Sequence, residues 1–196
     1  MAGLRNSKVA RGAALSVLAL GFFTVEAGVM IPTAQARSAP ANTAAIPAAT
    51  GIFATESPLT FHAPDFTRIK DTDYQPAIEQ GIAIKRAEIA AIAANRAAPT
   101  FANTIEAMER SGQLLDRAQS VFSAVVGANT NAVLDAADTA TSPQLAQLED
   151  SIYLNAQLFA RVKSLHDRAP QLKLSAEQHQ VLNLTYDRFV HNGALL

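Results

Sequence analysis

Four histidines, at positions 62, 166, 179 and 191, are the side chains of this 196-residue chain best suited to holding a metal or moving a proton near neutral pH. Two imidazoles share one ion on a helix when they stand four residues apart, and no pair here has that spacing. No His-Glu-x-x-His run occurs anywhere in the sequence. Scattered as they are, the histidines read as surface residues. Glu106 and Glu109 stand three apart on one side of a predicted helix, a spacing that could serve acid–base transfer. Their place in the first turn explains them as well, because the positive end of the helix dipole favours acids. Ser111, Ser120 and Ser123 lack a Gly-x-Ser-x-Gly setting and a nearby base, and no glycine-rich phosphate loop is present. Lys85-Arg86 and the run from Arg161 to Arg168 read as solvated helix faces. On these grounds no catalytic, cofactor-binding or metal-ligating residue is assigned, and no cofactor is expected in this chain.

Composition narrows the classes further. The chain contains no cysteine, which removes disulfides, thiolate metal sites, cysteine nucleophiles and cysteine-borne lipid anchors together. A formal charge of −1 with interspersed signs provides no basic stripe for a phosphate backbone, so nucleic acid is not an expected partner. Abundant alanine, with only 6% aromatic residues and no Trp, points to an all-α fold.

The elements that would position any site follow from periodicity and capping. Ile78, Ile82, Ile89 and Ile92 mark one face of a helix that starts at Asp71 or Asp73, tolerates Pro76 in its first turn and ends over Asn95 to Pro99. Asn103 and Glu106 form a capping box opening a second helix, on which Ile105, Met108, Gly112, Leu115, Phe122 and Val126 share a face; Gly112 allows a neighbour to come close. A third helical region begins near Asn131 and meets a kink or a full break at Ser142-Pro143 before Tyr153. Asn155 caps a fourth helix carrying Leu158, Phe159, Val162 and Leu165. Ser175 and Gln178 box the start of a fifth, which stops at Asn192-Gly193. The apolar Ala194-Leu195-Leu196 that follows suggests a chain meant to pack against something more.

Ahead of this body, Arg5, Lys8 and Arg11 precede the apolar run 13–23, and Ala34-Gln35-Ala36 has the A-x-A form of a signal-peptidase site. The apolar run is shorter than the roughly 20 residues a membrane span needs. Residues 1–36 are therefore predicted to be a signal peptide cut after Ala36, giving a periplasmic chain with no membrane association. Losing Arg5, Lys8, Arg11 and Glu26 leaves the mature chain at a formal −3. Residues 37–58, rich in Ala, Pro, Ser and Thr, read as a flexible spacer, with the folded body, 59–196, beginning near Leu59 or Phe61.

The stretch "HAPDFTRIKDTDYQPAIEQGIAIKRAEIAAIAANRAAPTFANTIEAMERSGQLLDRAQSVF", followed in order by "GANTN", "SIYLNAQLFARVKSLHD" and "LTYDRFVHNGALL", resembles the amino-terminal helical region of the thimet-oligopeptidase family of zinc metallopeptidases, in its bacterial peptidyl-dipeptidase branch. The resemblance covers about residues 56–196. It implies a mostly helical region that forms one wall of a channel admitting short peptides. It also implies that zinc is held elsewhere in the family's chain, by a His-Glu-x-x-His helix and a later Glu, and no residue here takes over those roles. Two functions are expected from this. One is the front portion of an exported, zinc-dependent releaser of C-terminal dipeptides, cut short, inactive alone and partnered by a missing catalytic half. The other is a stand-alone helical periplasmic module that binds peptides or acts as an adaptor.

Overall fold

A central helix, α1 (Asp71–Ala93), organises the chain. In the computed structural model, which describes residues 45–195, α1 packs chiefly against α3 (Gln113–Ala128) and α4 (Ala132–Tyr153), while α5 (Ala156–Asp167) pairs with α6 (Ala176–His191). A short α2 (Ala107–Glu109) continues a π-helical turn, Ala102–Glu106. No strand occurs among the described residues, so the fold is all-α. The predicted signal segment 1–36, the first part of the spacer and Leu196 lie outside the described residues.

The start of α1 follows from Asp73, whose carboxylate accepts the Lys70 N–H at 2.9 Å. Ile78, Ile82, Ile84 and Ile89 are buried along its length, and Ile92 packs at the margin. Pro76 lies one turn deeper than the sequence reading placed it, where its missing N–H deprives a carbonyl of its usual donor. Buried Tyr74 and Ile78 on either side hold the helix together across this gap.

On α1, Tyr74, Gly81 and Glu88 meet Phe122, Leu115 and Gly112 in turn, so α3 runs antiparallel to it. At Gly81 the two backbones come so close that an added Cβ would stand 2.7 Å from the Leu115 Cα. Asn131 at the head of α4 donates to Asp71 at 2.9 Å, and Gln144 reaches Glu79 further along, so α4 runs parallel to α1. Pro143 neither ends nor restarts this helix, which is continuous from Ala132 to Tyr153. Ala137, Thr141 and Leu148 are buried on both sides of the proline, and that packing outweighs one lost ladder bond.

The helix opening at "PTFANTIE" differs from its predicted form. Thr100 Oγ1 accepts the Asn103 N–H at 3.1 Å, and Asn103 Oδ1 accepts the Thr100 N–H at 2.9 Å. The box is therefore closed by Thr100 and Asn103, three residues upstream of the expected pair. A threonine in the cap position outcompetes Asn103, which becomes the third residue of the turn. Nor is there one helix from here to Val126. The chain turns at Gly112, whose φ of +82° is left-handed, and its N–H donates to Glu88 at 2.7 Å.

The predicted caps of the last two helices are present. Asn155 accepts from Leu158 at 3.0 Å, and Ser175 with Gln178 forms a reciprocal box. At the end of α6, Gly193 (φ +93°) donates to Val190 and Ala194 donates to Phe189, the paired bonds of a Schellman stop.

The packed chain also begins before Leu59. Phe53 is buried against Tyr74, with ring centroids 5.6 Å apart, and Tyr74 continues the cluster to Phe122 at 5.4 Å. Arg117 clamps this segment by donating to the carbonyls of Phe53 (2.9 Å) and Ala54 (2.8 Å), while Thr50 and Gln80 exchange two bonds. A lone aromatic in an Ala/Pro/Thr tract has no periodicity to reveal it, yet one buried ring and one guanidinium suffice to dock the strip.

Two glycines in helices make contrasting tests. Gly81→Ala should destabilise the chain by about 1–3 kcal/mol, since backbone cannot yield to the new methyl. Gly127→Ala meets nothing within 4 Å and should stabilise it by up to ~1 kcal/mol. Urea melts of the two variants would show opposite shifts, and a stabilised Gly81→Ala would refute the close approach.

Candidate functional site

The four histidines are dispersed. His62 stands on an exposed turn, its Nδ1 at 3.0 Å from the Ser57 carbonyl and its Nε2 at 3.6 Å from Glu56. His166 lies flat on Tyr186, with centroids 3.9 Å apart and planes 7° from parallel. His191 bonds the Asp187 carbonyl at 2.7 Å. Among the described residues no three His, Asp or Glu side chains gather where they could hold a metal. The donors present here do not fit the zinc that the family resemblance implies.

Glu106 and Glu109 are not joined as an acid–base pair. Glu106 faces Arg110 at 3.4 Å and, with the helix starting at Phe101, lies beyond the first turn to which the dipole argument assigned it. Ser111 is buried and donates to the Met108 carbonyl at 2.6 Å, whereas Ser120 and Ser123 are exposed. The pKa shifts trace to ordinary causes. Burial pushes the Tyr74 hydroxyl up, with Asp71 and Asp73 adding to it, and burial also raises Tyr153 against the opposing pull of Arg188. On the surface, a hydrogen bond raises Lys163 and lowers its partner Asp167.

The cationic residues depart most from the sequence reading. Lys85 is half-buried, lies across Gly112 and pairs with Asp116 at 3.7 Å. Arg161 is only 7% exposed. One of its terminal nitrogens donates to the carbonyls of Asn95 (2.6 Å) and Ala97 (3.1 Å), and the other to Asn103 Oδ1 (2.8 Å) and Thr104 Oγ1 (3.2 Å). Its Nε is buried without a partner, and burial lowers its pKa. A signal for this was present. Arg161 stands three residues after Leu158 and four before Leu165, on the apolar side of α5, where a solvated arginine has no place.

Concavity is found elsewhere, in a cleft of about 530 Å³ between the segment leading to α1 and the exposed side of α3. Its charged lining mixes signs: Glu56, Asp65 and Arg68 from the segment, Asp116 and Arg117 from α3. Most of these groups are already engaged, Arg117 with two carbonyls, Asp65 with Thr67 and Asp116 with Lys85. Ser120 lines the cleft, but among the described residues no base is hydrogen-bonded to it. The cleft can hold a ligand with polar and apolar groups; it does not assemble a nucleophile with its base.

No protein-family model matches the chain. Among curated proteins it is similar to a dipeptidyl carboxypeptidase of Escherichia coli, with 45% identity over 144 residues, which is 74% of this chain and 21% of that protein. A dipeptidyl carboxypeptidase of Salmonella typhimurium matches at 45% over 141 residues, 72% of this chain and 21% of the relative. The chain thus spans about a fifth of the length of these relatives.

Arg161 provides the test of how the interior is held. Arg161→Ala removes the donor from four acceptors, of which Thr104 Oγ1 is buried and the other three are partly buried, and should cost about 1–3 kcal/mol in denaturant unfolding. Arg161→Lys, which has a single ammonium in place of a fork, should recover less than half of that loss. Equal stability of wild type and Arg161→Ala would show that the fork is dispensable.

Proposed function

Since this chain belongs, over its matched stretch, with the peptidyl-dipeptidase family, we propose that it forms the amino-terminal helical portion of an exported peptidyl-dipeptidase and does not cleave peptides by itself. The carrying observation is the 45% identity that fills three quarters of this chain and only a fifth of the relatives. In this reading the helices form part of the wall of a channel for short peptides. Residues outside these 196 supply the catalytic zinc and the release of C-terminal dipeptides, since the sequence contains no His-Glu-x-x-His run. Export rests on the basic, apolar and small-residue order of residues 1–36, with a periplasmic location after cleavage behind Ala36.

A second reading has its own support. The described body closes a core from Phe53 to Phe189, and its last three long helices have side-chain caps. A chain packed in this way can serve alone as a peptide-binding or adaptor module, with the cleft as its contact surface.

Purified chain should leave a blocked tripeptide intact with or without added zinc, and chelator-sensitive release of a dipeptide would overturn the first reading. Peptide titration separates the two, because saturable binding by the chain alone favours the module. When the gene is expressed in a Gram-negative host, mass spectrometry of the periplasmic fraction should find an amino terminus at Arg37. Ala36→Arg should hold the precursor uncut, and an uncut wild-type chain would remove the export reading.

A further inference from the structure

The segment before α1 carries an aromatic ridge. Phe61 is 97% exposed, Phe66 is 59% exposed and Leu59 is 45% exposed, all within eight residues of chain. Single exposed apolar residues are ordinary on a protein surface; three on one short turn are not. Phe61 (φ +59°) and His62 (φ +55°) are also the two non-glycine residues with left-handed backbone among the described residues, a conformation that crowds a side-chain Cβ.

The turn is held in that shape from within. His62 donates its backbone N–H to Leu59 at 2.9 Å and places its ring 3.0 Å from the Ser57 carbonyl. Ala63 donates to Thr60 at 3.3 Å across the same turn, and a separate turn follows in which Asp65 accepts from the Thr67 N–H and hydroxyl. The chain thus spends hydrogen bonds to keep a strained turn whose benzyl group touches water on every side.

We propose that Leu59, Phe61 and Phe66 form a docking ridge, and that its occupant is the polypeptide which dipeptidyl carboxypeptidases carry beyond the fifth matched here. This rests on the family reading above and adds the surface through which it operates. The argument for that occupant is one of length. The relatives are about five times as long as the matched stretch, so most of their chain must pack somewhere on this region or beside it. A packed body is joined through its surface; single exposed apolar side chains such as Leu154 and Leu184 occur elsewhere on it, but this segment displays three within eight residues, among them Phe61, the most exposed of all. The acidic neighbours Glu56 and Asp65 and the mature charge of −3 disfavour an anionic membrane as the occupant.

The test replaces the matched segment of the E. coli dipeptidyl carboxypeptidase with residues 45–196 of this chain, and compares that chimera with the full chain alone. Phe61→Asn with Phe66→Ser removes both rings, and Asn tolerates the left-handed backbone. Because both rings are exposed, the double variant should leave melting of the full chain unchanged. In the chimera, amide exchange of residues 59–66 should slow by about tenfold or more, and the double variant should lower both its melting temperature and its peptide cleavage. If the chimera cleaves peptides but the double variant matches it in exchange, melting and activity, the ridge is not the docking surface, although the family reading stands. If the chimera folds and cleaves nothing, the family reading fails and the ridge with it. A dimer of the full chain in light scattering, dissociated by the double variant, would make a second copy the occupant and overturn the proposal.

Discussion

The interior of this chain depends on a cation that has no anion. Arg161 enters the protein from α5 and finds four neutral oxygens, two from the backbone after α1 and two from side chains in the π-helical turn. Desolvating a guanidinium is costly, and neutral acceptors return less than a carboxylate would. What they provide is geometry, because a planar fork with fixed donor directions dictates where each oxygen must stand. The connection 94–100 has little regular structure, and the carbonyls of Asn95 and Ala97 find their donor in this guanidinium. Arg161 therefore converts an irregular link into a fixed one and attaches the α5–α6 pair to α1.

The other side of α1 is governed by closeness. Gly81 admits the Leu115 backbone, and Gly112 turns the chain left-handed so that its N–H meets Glu88 while the Lys85 stem covers it. These contacts fix the lateral placement of α3, and α3 in turn supplies Arg117, which fastens the strip around Phe53. The cleft lies between that strip and α3, so its shape follows from two glycines outside its lining and from one guanidinium, that of Arg117, within it.

Much of this fold was legible in the sequence, and the failures share a cause. The all-α class, the isoleucine face of α1, the helix start near Asn131 and the caps at Asn155 and Ser175 rest on local rules in which a residue reads its own neighbours, and the structure contains all of them. Asn103 was misplaced because two adjacent polar residues could each cap, and the choice went to Thr100. Of the kink or full break that Pro143 predicts, the break does not occur, because the penalty is local whereas the packing on both sides that overrides it is not. Phe53, placed in the spacer, and Arg161, placed on a solvated face, are both buried, because burial at long range leaves only a faint mark in sequence, an isolated ring in a polar tract and an arginine on an apolar face. For the candidate site, the cleft had no sequence signature at all, since residues from position 51 to 121 converge only through the tertiary fold.

A body with such a well-determined interior nevertheless leaves its most conspicuous apolar side chains outside. The aromatic pairs Tyr153–Phe189 and Phe159–Phe189 pack on the α5–α6 side and Phe53–Tyr74–Phe122 on the α1–α3 side, while Phe61 and Phe66 stand outside both clusters. Their exposure is accordingly a property of the turn that presents them. Relaxing Phe61 to a right-handed backbone would relieve crowding at its Cβ, and the hydrogen bonds of His62 to Leu59 and Ser57 and of Ala63 to Thr60 oppose that relaxation. A rigid apolar ridge loses little conformational entropy when it is covered, which is the physical condition for a surface that joins one well-packed body to another.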